Sequence, residues 1–183
     1  MKKRSVALLL AIAIVVVGVV AGTLAWLTDK TAPVKNTFTT SDINITLTET
    51  TANYKMIPGY TIAKDPKVTV KANSEACYLF VKFEKSTNFD TYMTYEVADG
   101  WTALPGVDGV FYQEVDAMEA DREFAVLKDN QVTVKSEVTK NMMEEAKVTA
   151  PTLTFTAYAS QRYKSAGNEF TASEAWENVK DLT

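Results

Sequence analysis

Side chains able to do chemistry are few in this chain, and their types exclude more than they suggest. No histidine occurs among its 183 residues. That removes Ser-His-Asp and Cys-His nucleophile systems, histidine-type zinc sites and the His-Glu-x-x-His protease helix. The seven glycines form no Gly-rich phosphate loop. Glu114, Asp116, Glu119, Asp121 and Glu123 are the densest set of carboxylates. Calcium takes roughly six to eight oxygen ligands, and such a set can supply some of them. Yet there is no Asp-x-Asp-x-Asp-Gly loop and Arg122 interrupts the set, so a solvated acidic loop is expected. Tyr92, Tyr95, Trp101, Phe111 and Tyr112 are residues of the kind that line carbohydrate platforms. In strands, aromatics more often pack in the core or across strand pairs. Paired carboxylates for glycoside hydrolysis leave no trace in a sequence, because only their separation defines them. No catalytic residue, metal ligand or cofactor site is assigned, and the chain is read as a non-enzyme.

The elements that would position any site begin with an export segment. Lys2, Lys3 and Arg4 form a positive start, residues 6–20 an unbroken apolar run, and Ala21, Gly22, Thr23 and Ala25 a small-residue close. Charge, then grease, then small residues is the order of a secretory signal peptide. Small side chains at Thr23 and Ala25 place the cut after Ala25, making Trp26 the first mature residue. Residues 5–27 are just long enough to span a bilayer as an uncleaved anchor. Gly18, Gly22 and the small residues favour cleavage. Either way the folded part is delivered outside the cytoplasm, and the membrane is met only through the signal peptide.

The residues around the cut carry a family likeness. The chain reads Gly22-Thr23-Leu24-Ala25-Trp26-Leu27-Thr28-Asp29 and later Asn36-Thr37-Phe38, before the alternating Ile43-Asn44-Ile45. Tyr54-Lys55-Met56-Ile57-Pro58-Gly59, Lys64-Asp65-Pro66 and Val68-Thr69-Val70 follow. This pattern resembles the TasA/camelysin family, whose precursors are cut by a dedicated SipW-type signal peptidase. The likeness is clearest over residues 1–72, and Ser41 stands where the family usually has glycine before the alternating strand. It implies a jelly-roll-like sandwich, secretion from a Gram-positive-type bacterium, and assembly into fibres by an extended arm of one subunit adding as a strand to the next. The arm here would be residues 26–36, with Trp26, Leu27 and Val34 as its apolar contacts. Pro33 cannot donate to a ladder, so pairing before it is limited to residues 26–32 or to an edge.

Composition bounds the rest independently. Removing residues 1–25 leaves 158, enough for one domain, and takes the formal net charge from −4 to −7 as three basic residues go. An acidic chain lacks the basic footprint that nucleic acid requires. Cys77, the single cysteine, sits in an apolar run and is read as a small buried hydrophobe. Without a second cysteine there is no internal disulfide framework.

The mature chain alternates apolar and polar residues in short runs. Strands are expected at 43–47, 67–71, 76–83, 92–97, 101–104, 110–115, 123–127, 131–138 and 152–159. Pro58-Gly59, Asp99-Gly100, Pro105-Gly106, Asp108-Gly109 and Asp129-Asn130 supply the turns. The run at 76–83 has Cys77, Leu79, Val81 and Phe83 on one face and Tyr78 and Phe80 on the other, a central strand. Thr139 caps a short helix through Lys147, with Met142, Met143 and Ala146 on its apolar side. Thr171 and Glu174 form a capping box for a C-terminal helix of about eleven residues, docked through Trp176.

These readings combine into an all-β, antiparallel jelly-roll-like β-sandwich over residues 37–183, with short connecting helices and a C-terminal helix, behind a signal peptide (1–25) and an arm (26–36). The expected function is a structural subunit of an extracellular biofilm matrix or cell-surface fibre, with itself and a SipW-type signal peptidase as partners. A camelysin-like cell-surface metalloprotease and a monomeric surface binding module are the alternatives. If the export reading holds, intact mass of the exported protein starts at Trp26, within a residue or two. Replacing Ala25 by a bulky residue blocks the cut, and a full-length, membrane-retained product shows instead that residues 5–27 are an anchor.

Overall fold

A computed structural model describes residues 42–50 and 55–182. Its elements, in chain order, are β1 (Ile45–Thr48), β2 (Thr61–Ala63), β3 (Lys67–Val70), β4 (Cys77–Lys85), α1 (Phe89–Tyr92), β5 (Met93–Val97), β6 (Thr102–Ala103) and β7 (Val110–Val115). There follow β8 (Arg122–Ala125), β9 (Leu127–Val134), α2 (Lys140–Val148), β10 (Leu153–Gln161), β11 (Tyr163–Ser165), β12 (Asn168–Glu169) and α3 (Ala172–Glu177). The chain is therefore all-β with short helices, and every described strand pair is antiparallel.

The strands form a four-stranded sheet, β10-β4-β7-β6, two three-stranded sheets, β1-β3-β8 and β2-β9-β5, and the small ribbon β11-β12. The two three-stranded sheets join. Val126 N–H donates to the Pro66 carbonyl (3.1 Å) and Lys64 N–H to that of Asn130 (2.8 Å), so pairing continues where β2 gives way to β3 and β8 to β9. One apolar cluster takes side chains from both layers. Val68, Val70, Phe124, Val132 and Val134 come from the bent layer, and Cys77, Leu79, Val81, Phe83 and Val115 from the four-stranded sheet.

β4 explains this arrangement. Its strict alternation puts apolar groups on both faces, so both must be covered. Tyr78 and Phe80 point away from the main core into a second cluster with Leu104, Val110, Ala175, Trp176 and Val179. The Trp176 ring lies 5.3 Å from that of Phe80 and meets Tyr158 edge-on at 5.2 Å. Each such fully buried side chain contributes roughly 1.5–3 kcal/mol. Burial also pushes the Cys77 thiol up to about 11, which keeps it protonated and inert.

The expected strands appear with a few instructive differences. Asp108-Gly109 helps to close the β6–β7 hairpin, and Gly109 is required there. Its φ is +73°, and an added Cβ would stand 2.7 Å from the Phe83 carbonyl oxygen. Asp99-Gly100 closes no hairpin, because β5 and β6 lie in different sheets. Asp129-Asn130 does not separate two strands. Both residues adopt left-handed φ values, 54° and 52°, and bulge out within β9 where its register with β5 shifts between Tyr95 and Val97. The C-terminal helix stops at Glu177, short of its expected length, and Leu182 is exposed.

The start of α3 is fastened electrostatically. Glu174 accepts from Lys164 Nζ (2.8 Å) and from the backbone N–H (2.8 Å) and hydroxyl (3.0 Å) of Thr171. The Lys164 ammonium first, then Thr171, holds the Glu174 carboxyl down at about 2, against an ordinary 4.5. A depressed folded-state value contributes stability that is fully present above about pH 4.5 and is lost as pH falls towards 2. Melting temperatures of the parent and of Glu174→Gln should therefore differ at pH 7 and converge between pH 4.5 and 2. A constant gap across that window would show that the contact is not linked to folding.

Candidate functional site

β10 is the long outer strand of the four-stranded sheet. Leu153, Phe155, Ala157 and Ala159 turn towards the main core, alternating with Thr154, Thr156, Tyr158 and Ser160. Its nine residues pair with β4 from Leu153↔Lys85 to Gln161↔Cys77 with no shift of register. Among the described residues it pairs on one side only. It contains no charged residue, no proline and no glycine. Those are the devices, along with bulges and brevity, by which sheet edges are ordinarily shielded from adding another strand. The other outer strands have such devices: β1 and β6 have four and two residues, and β5 lies against the bulge of β9.

At the Leu153 end of β10 lies a groove of about 570 Å³. Met56, Ile62, Met93, Met143, Ala146 and Leu153 give it an apolar lining, and Lys64 and Lys147 are its charged members. No carboxylate is among its described lining residues. Helix α2 forms one wall because Thr139 caps it: the Thr139 hydroxyl accepts from Met142 N–H (3.3 Å), and Thr139 N–H reaches Met142 Sδ (3.5 Å). Beyond the helix, Asn88 Nδ2 donates to the Thr149 carbonyl (2.9 Å) and Thr152 N–H to Ser86 Oγ (2.9 Å), tying the connection to the end of β4. Lys64 is nearly enclosed, with its side chain 11% exposed. It bonds Glu49 Oε1 at 2.6 Å and sits 5.3 Å from the centre of the Phe155 ring. Three methionines make the lining deformable, since the unbranched thioether fills irregular gaps.

The residues singled out from the sequence fall elsewhere. The cleavage residues Thr23, Ala25 and Trp26 and the arm contacts Leu27 and Val34 lie outside the described residues. The acidic set is divided among separate cations. Glu114 (3.0 Å) and Asp116 (3.1 Å) meet Arg162, which also reaches Glu169 at 3.4 Å. Asp121 accepts from Ala72 N–H (2.8 Å) and Lys71 (3.0 Å), which together lower its pKa, and Glu123 faces Lys67 at 3.6 Å. Among the described residues no three metal-ligating side chains converge. The five aromatics pack rather than display. Tyr95 stacks on Phe83 and Phe111 meets it edge-on; Tyr92 is buried; Trp101 donates its indole N–H to the Ala125 carbonyl (2.8 Å). Tyr112 lies on the opposite face of the sheet with Tyr78.

The groove was not legible beforehand. β2 is only three residues long, too short for alternation to register, and the meeting of Met56, Met143 and Leu153 depends on long-range pairing. No helix among the described residues is long and apolar enough to cross a membrane. No protein-family model, curated protein or solved structure matches the chain.

Glu114 and Asp116 committed to Arg162, Asp121 to Lys71 and Glu123 to Lys67 offer a cation little. The purified protein is expected to bind zinc poorly and to show no chelator-sensitive hydrolysis of casein. Zinc-dependent cleavage by a preparation free of other proteases would reverse the non-enzyme reading.

Proposed function

We propose that this protein is a secreted structural subunit of an extracellular matrix or cell-surface fibre of a Gram-positive-type bacterium, assembled by strand donation from residues 26–36. The observation that carries the reading is the outer strand β10: nine residues in unbroken register, uncharged throughout, with strand pairing on one side among the described residues. An added strand there gains main-chain hydrogen bonds along the edge, and alternate side chains supply the selectivity. The likeness of residues 1–72 to the TasA/camelysin family supports the same reading, as does the acidic, histidine-free composition.

The architecture we infer is a jelly-roll-like β-sandwich. With β2–β3 and β8–β9 each counted as one strand, the second strand pairs with the seventh and the seventh with the fourth. The third pairs with the eighth and the sixth. Those pairings follow the wrapping of a jelly roll. β1 and β6 depart from it, each lying beside its neighbour in sequence.

Electron microscopy of the mature protein beginning at Trp26 tests the function. Filaments are expected from it, whereas deletion of residues 26–35 should leave a folded monomer of nearly unchanged thermal stability that forms none. Polymerisation of the truncated protein at the parental rate would end the strand-donation reading. Unfolding on truncation would make the arm a strand of its own subunit.

A further inference from the structure

We propose that the groove at the Leu153 end of β10 binds one long-chain fatty acid, with its alkyl chain on the methionine-rich lining and its carboxylate on Lys147. The inference is independent of strand donation, because it uses described residues alone and concerns a single subunit. Its first support is how the lining is built. Ile62 and Met93 are fixed by the register of β2 and β5 on β9, opposite Val132 and Val134. Met143 and Ala146 come from the capped helix α2, and Leu153 from the start of β10. The concavity therefore belongs to paired and capped backbone, as a largely pre-formed ligand site does. Met56, Met93 and Met143 then let its surface follow a flexible chain.

Size and charge select the occupant. Taking about 30 Å³ for a water-sized group, 570 Å³ holds roughly nineteen groups the size of a methylene. That is one long acyl chain and not the pair of a phospholipid. A peptide of the same bulk would bring amide groups that an apolar lining leaves unpaired, at a cost that methylenes do not incur. The charged members of the lining are both lysines, and no carboxylate is among its described residues, in a chain whose net charge is −4. The Lys64 charge is met by Glu49 Oε1 at 2.6 Å, so the ligand's anion falls to Lys147. That side chain is 68% exposed, and its pair with Glu144 one turn away is a surface contact, which exchanges at little cost. The hydroxyls of Thr152 and Thr154, on the same lining, add donors suited to a carboxylate.

The test uses the exported form beginning at Trp26, since the apolar run at 6–20 would itself take up a lipid probe. The fluorescence of cis-parinarate, a fatty acid that brightens out of water, should rise on mixing and fall again as palmitate displaces it. Palmityl alcohol, the same chain without the charge, should compete more weakly. Lys147→Glu should weaken palmitate several-fold and leave the alcohol unchanged, and added salt should weaken the first and not the second. Met143→Glu, which puts a carboxylate into the lining, should abolish the fluorescence rise while a thermal melt shows the domain folded. If that variant does not fold, Lys147→Glu decides, because its side chain is exposed. The inference is overturned if palmitate does not displace the probe, or if Lys147→Glu binds palmitate like the parent. Parental binding by folded Met143→Glu overturns it as well. Co-sedimentation with phosphatidylglycerol vesicles by a protein that takes up no palmitate would make the groove a contact with lipid surfaces instead.

Discussion

Everything in this domain depends on the double burial of β4. A strand with apolar groups on both faces cannot sit on the outside of a two-layer protein unless something is laid over its second face. Cys77, Leu79, Val81 and Phe83 are covered by the bent layer, and Tyr78 and Phe80 by α3. Hence a six-residue helix, far too short to persist alone, is retained with its own capping box and its own ion pair. Tyr78 adds a polar tie, its hydroxyl donating to the Phe170 carbonyl at 2.8 Å. Because β4 is central, it must have a strand on each side, and these are β7 and β10. The outer place of β10 in its sheet is thus a consequence of the demands of β4.

That dependence also explains which parts of the fold were legible in the sequence. Period-two alternation is a local signal, so Val110–Val115 was read to the residue and Leu153–Gln161 to within one or two. The two longer helices were visible for the same reason: Thr139 and Thr171 are capping residues followed by apolar spacing. The failures are all non-local. Asp129-Asn130 looks like a turn, and both residues do take left-handed backbone angles, yet pairing to β2 and β5 on either side carries the strand straight through. Asp99-Gly100 is a genuine turn, but whether it makes a hairpin depends on which sheet receives the next strand. Tyr163–Ser165 and Asn168–Glu169 pair across Gly167 without any alternating run to announce them.

The candidate site shows the same division more sharply. Residues 153–159 of β10 were recognisable as strand, but its status as an edge belongs to the topology. The groove is made where β2, α2 and the start of β10 converge, and none of these elements carries a motif. By contrast, the acidic set stands out in the sequence and dissolves in the structure. Glu114 and Asp116, from the end of β7, share Arg162, whereas Asp121 and Glu123, at the start of β8, meet Lys71 and Lys67. A run of like charge in a β-protein is therefore a poor guide to a shared site.

An uncharged edge is not forced on β10 by the core. Its outward positions do not contribute to the main cluster, and Thr154 is exposed. On the adjacent strand, directly opposite Thr156 and Thr154, stand Lys82 and Glu84, paired at 2.8 Å. Charge is accepted on that face at that depth. A lysine at residue 154 or 156 would therefore cost the packing little and would shield the edge from other chains. The sequence has threonine at both places, residues whose branched side chains suit a paired strand and whose hydroxyls leave the edge open. Flat edges of this kind carry the hazard of unwanted association, and selection for a soluble monomer would remove it. On β10 that shielding is absent from the strand itself, although the neighbouring Lys82 and Glu84 show that the face would accept it.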